Sequence, residues 1–144
     1  MKYIFLTLFT TMSILACSSL KNEQVNDYVI TYNAYSRGFS STYIIDKNQI
    51  TVKNGRDDDQ VKSSVISSAE RKKLDLILKS INLSQLNDYQ PPSEERTRDA
   101  APHADLSIQF KGKTYTSQTF DHGNPPLQIE ALTKTIIRLA ETVE

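Results

Sequence analysis

One cysteine stands in 144 residues, at position 17. A chain with a single thiol can close no internal disulfide and build no Cys-rich zinc module, so its fold must rest on buried apolar surface. That surface is unevenly supplied. Of the first 16 residues, 11 are Ala, Val, Ile, Leu, Met, Phe, Trp, Tyr or Cys, against 44 of the remaining 128. The body after residue 16 is thus about 34% apolar, enough for one core but not two. With 17 Lys and Arg against 17 Asp and Glu, the chain lacks the charge excess that a nucleic-acid surface requires, and no nucleic-acid partner is expected.

Lys2 precedes an uncharged run, YIFLTLFTTMSILA, over residues 3–16. A short apolar segment behind a positive charge reads as an export signal, and it falls short of the roughly 20 residues a bilayer-spanning helix needs. Residues 1–16 are therefore expected to be cleaved. Residues 18–26 (SSLKNEQVN) are polar and aperiodic, which suits a tether whose nine residues reach about 30 Å when extended.

Ser13-Ile14-Leu15-Ala16-Cys17 resembles the lipobox of bacterial lipoproteins. The resemblance implies a diacylglyceryl thioether on Cys17, cleavage before it and acylation of the new amino terminus, so that 17–26 becomes a lipid-anchored tether. Two or more acyl chains make membrane attachment stable, since each buried CH₂ contributes about 0.8 kcal/mol. Ser18 follows the cysteine, as in lipoproteins sorted to the outer membrane, which implies a bacterial envelope location facing the periplasm or the cell surface.

Residues 27–144 read as one α+β domain. Tyr28, Ile30 and Tyr32 alternate with Val29, Thr31 and Asn33, the period of a strand with one buried face. Further strands are expected over 41–46 and 49–53, with a short one over 60–66, the Asn54-Gly55 turn lying between. Ser67 and Glu70 have the spacing of a capping box, and Leu74, Ile77, Leu78 and Ile81 make one helical stripe ringed by Arg71, Lys72, Asp75 and Lys79. Pro91-Pro92 ends that region, and 93–101 is a charged loop. Leu106, Ile108 and Phe110 then alternate with polar residues, a Lys111-Gly112-Lys113 turn reverses the chain into 114–120, and Asn124 with Pro125 is expected to cap the last helix, whose seam is Ile129, Leu132, Ile136, Leu139 and Val143. The expected architecture is an antiparallel sheet of five to six strands with two amphipathic helices on one face, in the order β-β-β-(β)-α-β-β-α.

Hairpin arithmetic draws the two histidines together. Depending on which two residues form the loop, paired numbers sum to 225 or 223, and His103 lies opposite or diagonal to His122 on the face that carries Asp105. His103, His122 and Asp105 could then hold Zn or Cu, or the histidines could simply pack and bond around the turn before the last helix. Tyr35, Arg37, Gly38 and Phe39 form a loop whose aromatics could anchor a partner. Asp57-Asp58-Asp59 lacks the alternating spacing of a calcium loop and reads as solvated. No phosphate loop, dinucleotide fingerprint or Gly-x-Ser-x-Gly elbow occurs, and an enzyme is not expected.

The order of elements, with Arg37-Gly38-Phe39, Ser67-Ser68-Ala69-Glu70, Lys111-Gly112-Lys113 and Pro125-Pro126-Leu127, resembles emfourin-type inhibitors of thermolysin-like metalloproteases. The body also resembles small bacterial envelope lipoproteins that share His103-Ala104-x-Leu106-x-Ile108 and the run from Phe120 to Pro126, a likeness that implies no activity. The first expectation is therefore a non-enzymatic, lipid-anchored binding module with an envelope protein as partner. Metalloprotease inhibition and metal binding through His103 and His122 are the alternatives.

Overall fold

The computed structural model describes residues 28–55, 60–99 and 101–143. Cys17, the export signal, the tether and the Asp57–Asp59 run lie outside them. The strands are β1 (Tyr28–Tyr35), β2 (Ser40–Asp46), β3 (Gln49–Asn54), β4 (Gln60–Val65), β5 (His103–Phe110), β6 (Lys113–Thr116) and β7 (Phe120–Asp121). The helices are α1 (Ser68–Lys79) and α2 (Leu127–Ala140), and 3₁₀ turns occupy Leu83–Asp88 and Glu95–Thr97. The strands form one antiparallel sheet in the order β4-β3-β2-β1-β5-β6, with β7 also paired to β5. The expected α+β class is found.

Alternation explains why the helices cover only one face. Tyr28, Ile30, Tyr32 and Ala34 of β1 register with Phe110, Ile108, Leu106 and Ala104 of β5 and, from Ile30 on, with Ile45, Tyr43 and Ser41 of β2. This apolar face meets Leu74 and Leu78 of α1 and Ile129, Leu132 and Ile136 of α2 in one core. The opposite face carries Thr31, Asn33, Thr42, Asp105 and Ser107. There Thr42 donates to Asn33 at 3.1 Å and Asn33 to Asp105 at 3.0 Å, a polar chain across three strands.

The helix starts split the expectations. Ser67 caps α1 by accepting the Glu70 N–H at 3.2 Å, but the Glu70 carboxylate pairs with Arg138 of α2, so only half of the capping box forms. The expected Asn124 cap is not used: Pro126 occupies the N-cap position and α2 begins at Leu127. Asn124 instead donates its side-chain N–H to the Ser93 hydroxyl at 2.6 Å.

Arg71 also departs from expectation, being buried instead of lying on the solvated rim of α1. Its guanidinium sits 4.2 Å from the centre of the Tyr28 ring and its Nε 3.3 Å from the Asp75 carboxylate. Asp75 also accepts the Tyr28 hydroxyl at 2.7 Å, and burial together with that bond pushes the Tyr28 pKa up. The two terminal nitrogens of Arg71 have no hydrogen-bond partner. A buried charge of this kind adds little net stability. Arg71→Met keeps the stem's packing but strips the partly buried Asp75 of its cation, so it should cost about 2 kcal/mol, and adding Asp75→Asn, which removes the stranded charge, should recover part of that loss; an unchanged urea midpoint in Arg71→Met would show that the pair adds nothing to the domain.

Two turns place lysines in left-handed backbone: Lys47 has φ 50° and Lys111 φ 49°. That region costs a side chain with a Cβ roughly 1–2 kcal/mol, and Gly or Asn meets it more cheaply.

Candidate functional site

β1 has two distinct ends. Tyr28, where the described chain begins, registers with Phe110 and lies beside the Lys47 and Lys111 turns, whereas Tyr35 registers with Ser40 and His103. Eight residues at about 3.3 Å per step separate these ends by roughly 23 Å. Both groups of candidate residues, the Gly38 loop and the histidines, gather at the Tyr35 end.

The two histidines lie there on opposite faces. Near the turn, β5 and β6 pair with residue numbers summing to 223 (Phe110 with Lys113, Ser107 with Thr116), but at the far end β5 and β7 sum to 224 (His103 with Asp121, Ala104 with Phe120). One extra residue has entered between the two stretches. Ser117 marks the place: its backbone N–H donates to the Leu106 carbonyl at 2.9 Å while its hydroxyl accepts the Leu106 N–H at 3.0 Å and donates to the Gln118 carbonyl at 2.8 Å. This is how a bulge satisfies the strand it interrupts. Because side chains alternate, the slip exchanges faces for everything beyond it.

His103 therefore opposes Asp121 and stays on the polar face with Asp105, its ring 4.0 Å from that of Tyr35, edge to face. His122 comes to the core face. Its Nδ1 lies 2.9 Å from the Tyr32 hydroxyl, and its ring packs 5.9 Å from the rings of Tyr32 and Phe39. The expected meeting of His103 with His122 does not occur, since the sheet stands between them. Among the described residues, no three His, Cys, Asp or Glu side chains are grouped to hold a metal.

The Gly38 loop spans this edge. Tyr35 and Phe39 are 38% and 39% exposed, and each rests on a histidine. Tyr35 sits on His103, Phe39 on His122. Arg37 at the tip reaches Asp99 at 3.3 Å, both side chains being largely exposed. Behind Phe39, Tyr32 stacks on Tyr43 with centroids 5.8 Å apart and also contacts Phe120. The stack thus backs Phe39 through His122, while Tyr35 is backed by His103 on the other face of the sheet; two half-exposed aromatics held in this way are suited to binding because little side-chain entropy remains to be lost.

Burial lowers the His122 pKa below its ordinary 6.5, and burial raises that of Tyr32 against a backbone hydrogen bond from Gly123. With its proton on Nε2, neutral His122 accepts the Tyr32 O–H at Nδ1; doubly protonated, it turns a donor toward that hydroxyl. An imidazole with a depressed folded-state pKa binds its proton more readily in the unfolded chain. Its contribution is present above pH 6.5 and is lost as pH falls from there through the folded value. We expect urea midpoints to drop across that window and the step to vanish in His122→Phe. An NMR titration placing His122 at or above 6.5 would refute this.

The charged loop is held by a residue that the sequence places, with His122, only in the turn before the last helix. Asp121, only 6% exposed, accepts the Ser93 hydroxyl, the Glu95 N–H at 2.9 Å and the Arg96 N–H at 2.6 Å, with the Arg96 guanidinium 3.8 Å away. Burial alone would raise its pKa, but these donors and the Arg96 charge outweigh it and hold the carboxyl below 3.8. Asp121 thereby fixes the start of the segment that carries Asp99 to Arg37.

No protein-family model matches the chain, and no curated protein matches it.

Proposed function

We propose that the mature chain is a lipid-anchored, non-enzymatic binding module of the bacterial envelope, sorted to the outer membrane, which presents the Tyr35, Arg37 and Phe39 edge to an envelope protein. One observation carries the reading: two half-exposed aromatics flank Arg37 and Gly38, each seated on a histidine, about 23 Å along β1 from the end where the tether enters. Aromatic and Arg anchors on a rigid support are the residue types that dominate binding energy at protein interfaces. A tether joined to the other end leaves this edge free to face away from the membrane.

Site-specific photo-crosslinking in intact cells tests it. A crosslinker replacing Tyr35 or Phe39 should give a discrete adduct, and one replacing Leu76, which is exposed on α1, should not. The same pattern at all three positions, or no adduct at the loop, would reject this edge as the interface. A metalloprotease in the adduct would identify the partner that the emfourin resemblance implies.

A further inference from the structure

The tether end of the sheet has a surface of its own. β1 starts recessed between two hairpin turns, leaving a cleft of about 280 Å³ with Tyr28, Val29, Asp46 and Gln109 on its walls and Lys47 and Lys111 at its rims. Lys113 follows at the start of β6, registered with Phe110, and all three lysines are exposed. Lys47 and Lys111 each take a left-handed turn position that Gly or Asn would fill with less strain. Backbone economy therefore does not account for lysine at either place; Lys111 also lays its ammonium 5.3 Å from the centre of the Phe110 ring.

Residues 17–26, the expected tether, end one residue before Tyr28 in this same cleft. At about 30 Å fully extended, such a tether holds this end of the domain within reach of the bilayer to which its lipid is fixed while leaving the domain free to turn. We propose that Lys47, Lys111 and Lys113 form a membrane-facing surface that docks on anionic phospholipid headgroups and orients the domain with the Tyr35–Phe39 edge outward. The inference rests on the lipid-anchor reading given above. Three exposed lysines stand at this end, against the carboxylates of Asp46 at the cleft and of Asp75, which accepts the Tyr28 hydroxyl, with Asp27 next to Tyr28 in the sequence. Lysines near an anionic bilayer surface each favour the docked orientation about fivefold.

The test uses the full mature lipoprotein reconstituted on vesicles of phosphatidylcholine alone or with about one-third phosphatidylglycerol, with lysine acylation rates read by mass spectrometry. On the anionic vesicles Lys47, Lys111 and Lys113 should react about fivefold more slowly, while Lys53, registered with Thr42 toward the Tyr35 end of the sheet, is unchanged and high salt abolishes the difference. In Lys47→Asn/Lys111→Asn, whose new residues suit left-handed backbone, Lys113 should lose its protection. Equal rates on both vesicles would overturn the docking surface, as would equal protection by inorganic phosphate in solution. Protein that floats with the vesicles without lysine protection sinks this proposal alone; protein that fails to float on either vesicle sinks the anchor and this proposal with it.

Discussion

Asp121→Asn should destabilise the domain by about 3 kcal/mol, because a buried carboxylate that accepts two backbone N–H groups and a hydroxyl becomes an amide with one accepting oxygen. The amide's own N–H₂ would then point at donors. The loss should be local before it is global: amide exchange at Glu95 and Arg96 accelerates first, because these N–H groups lose their acceptor. The pH dependence has a definite sign. A carboxyl held below its ordinary 3.8 contributes stability that is full above that value and is lost as pH falls through its folded pKa. The parent's advantage over Asp121→Asn should therefore be constant from neutral pH to about 4 and shrink below it. A midpoint shift in urea worth under about 1 kcal/mol would show that the 93–97 segment holds without this carboxylate.

On the proposed lipid anchor, Cys17→Ser should remove the protein from the membrane altogether. One acyl chain binds a bilayer only with a constant on the order of 10⁴ M⁻¹, and stable attachment needs two signals; loss of the thioether removes the site on which the chains are assembled. Palmitate labelling should fall to background and the protein should leave the membrane fraction. Persistence of both would remove the lipid anchor, and the outward-facing orientation built on it, from consideration.

The fold was legible where one residue type answers one physical demand. Alternating Tyr28, Ile30 and Tyr32 face the core, and Ser67 caps α1 at its expected place. Legibility failed where a side chain's meaning depends on distant partners. Arg71 reads as solvated by its charge, yet the helix turns it over Tyr28, 43 residues earlier in the sequence. The role of Asp121 depends on donors 25 to 28 residues away. Ser93 directly after Pro91-Pro92 was the available signal, since a small hydroxyl residue there announces a short turn whose N–H groups need an acceptor.

The candidate site shows both outcomes. The aromatic loop and the histidines were visible as separate groups, and the sheet brings them to one edge. Their faces were not visible, because Ser117-Gln118-Thr119 holds no glycine or other residue that marks a break in pairing, and a bulge is a property of backbone count more than of side-chain type.

That uncounted residue is also the slack of the far edge. Loss of a single codon within residues 117–119 would remove the bulge and restore continuous pairing with Phe120 still opposite Ala104 and Asp121 still opposite His103. What this edge shows to each side is set by its partners on β5 and not by the count of residues through the bulge. A change of one residue in chain length at that place would therefore leave both histidines on the faces they now hold.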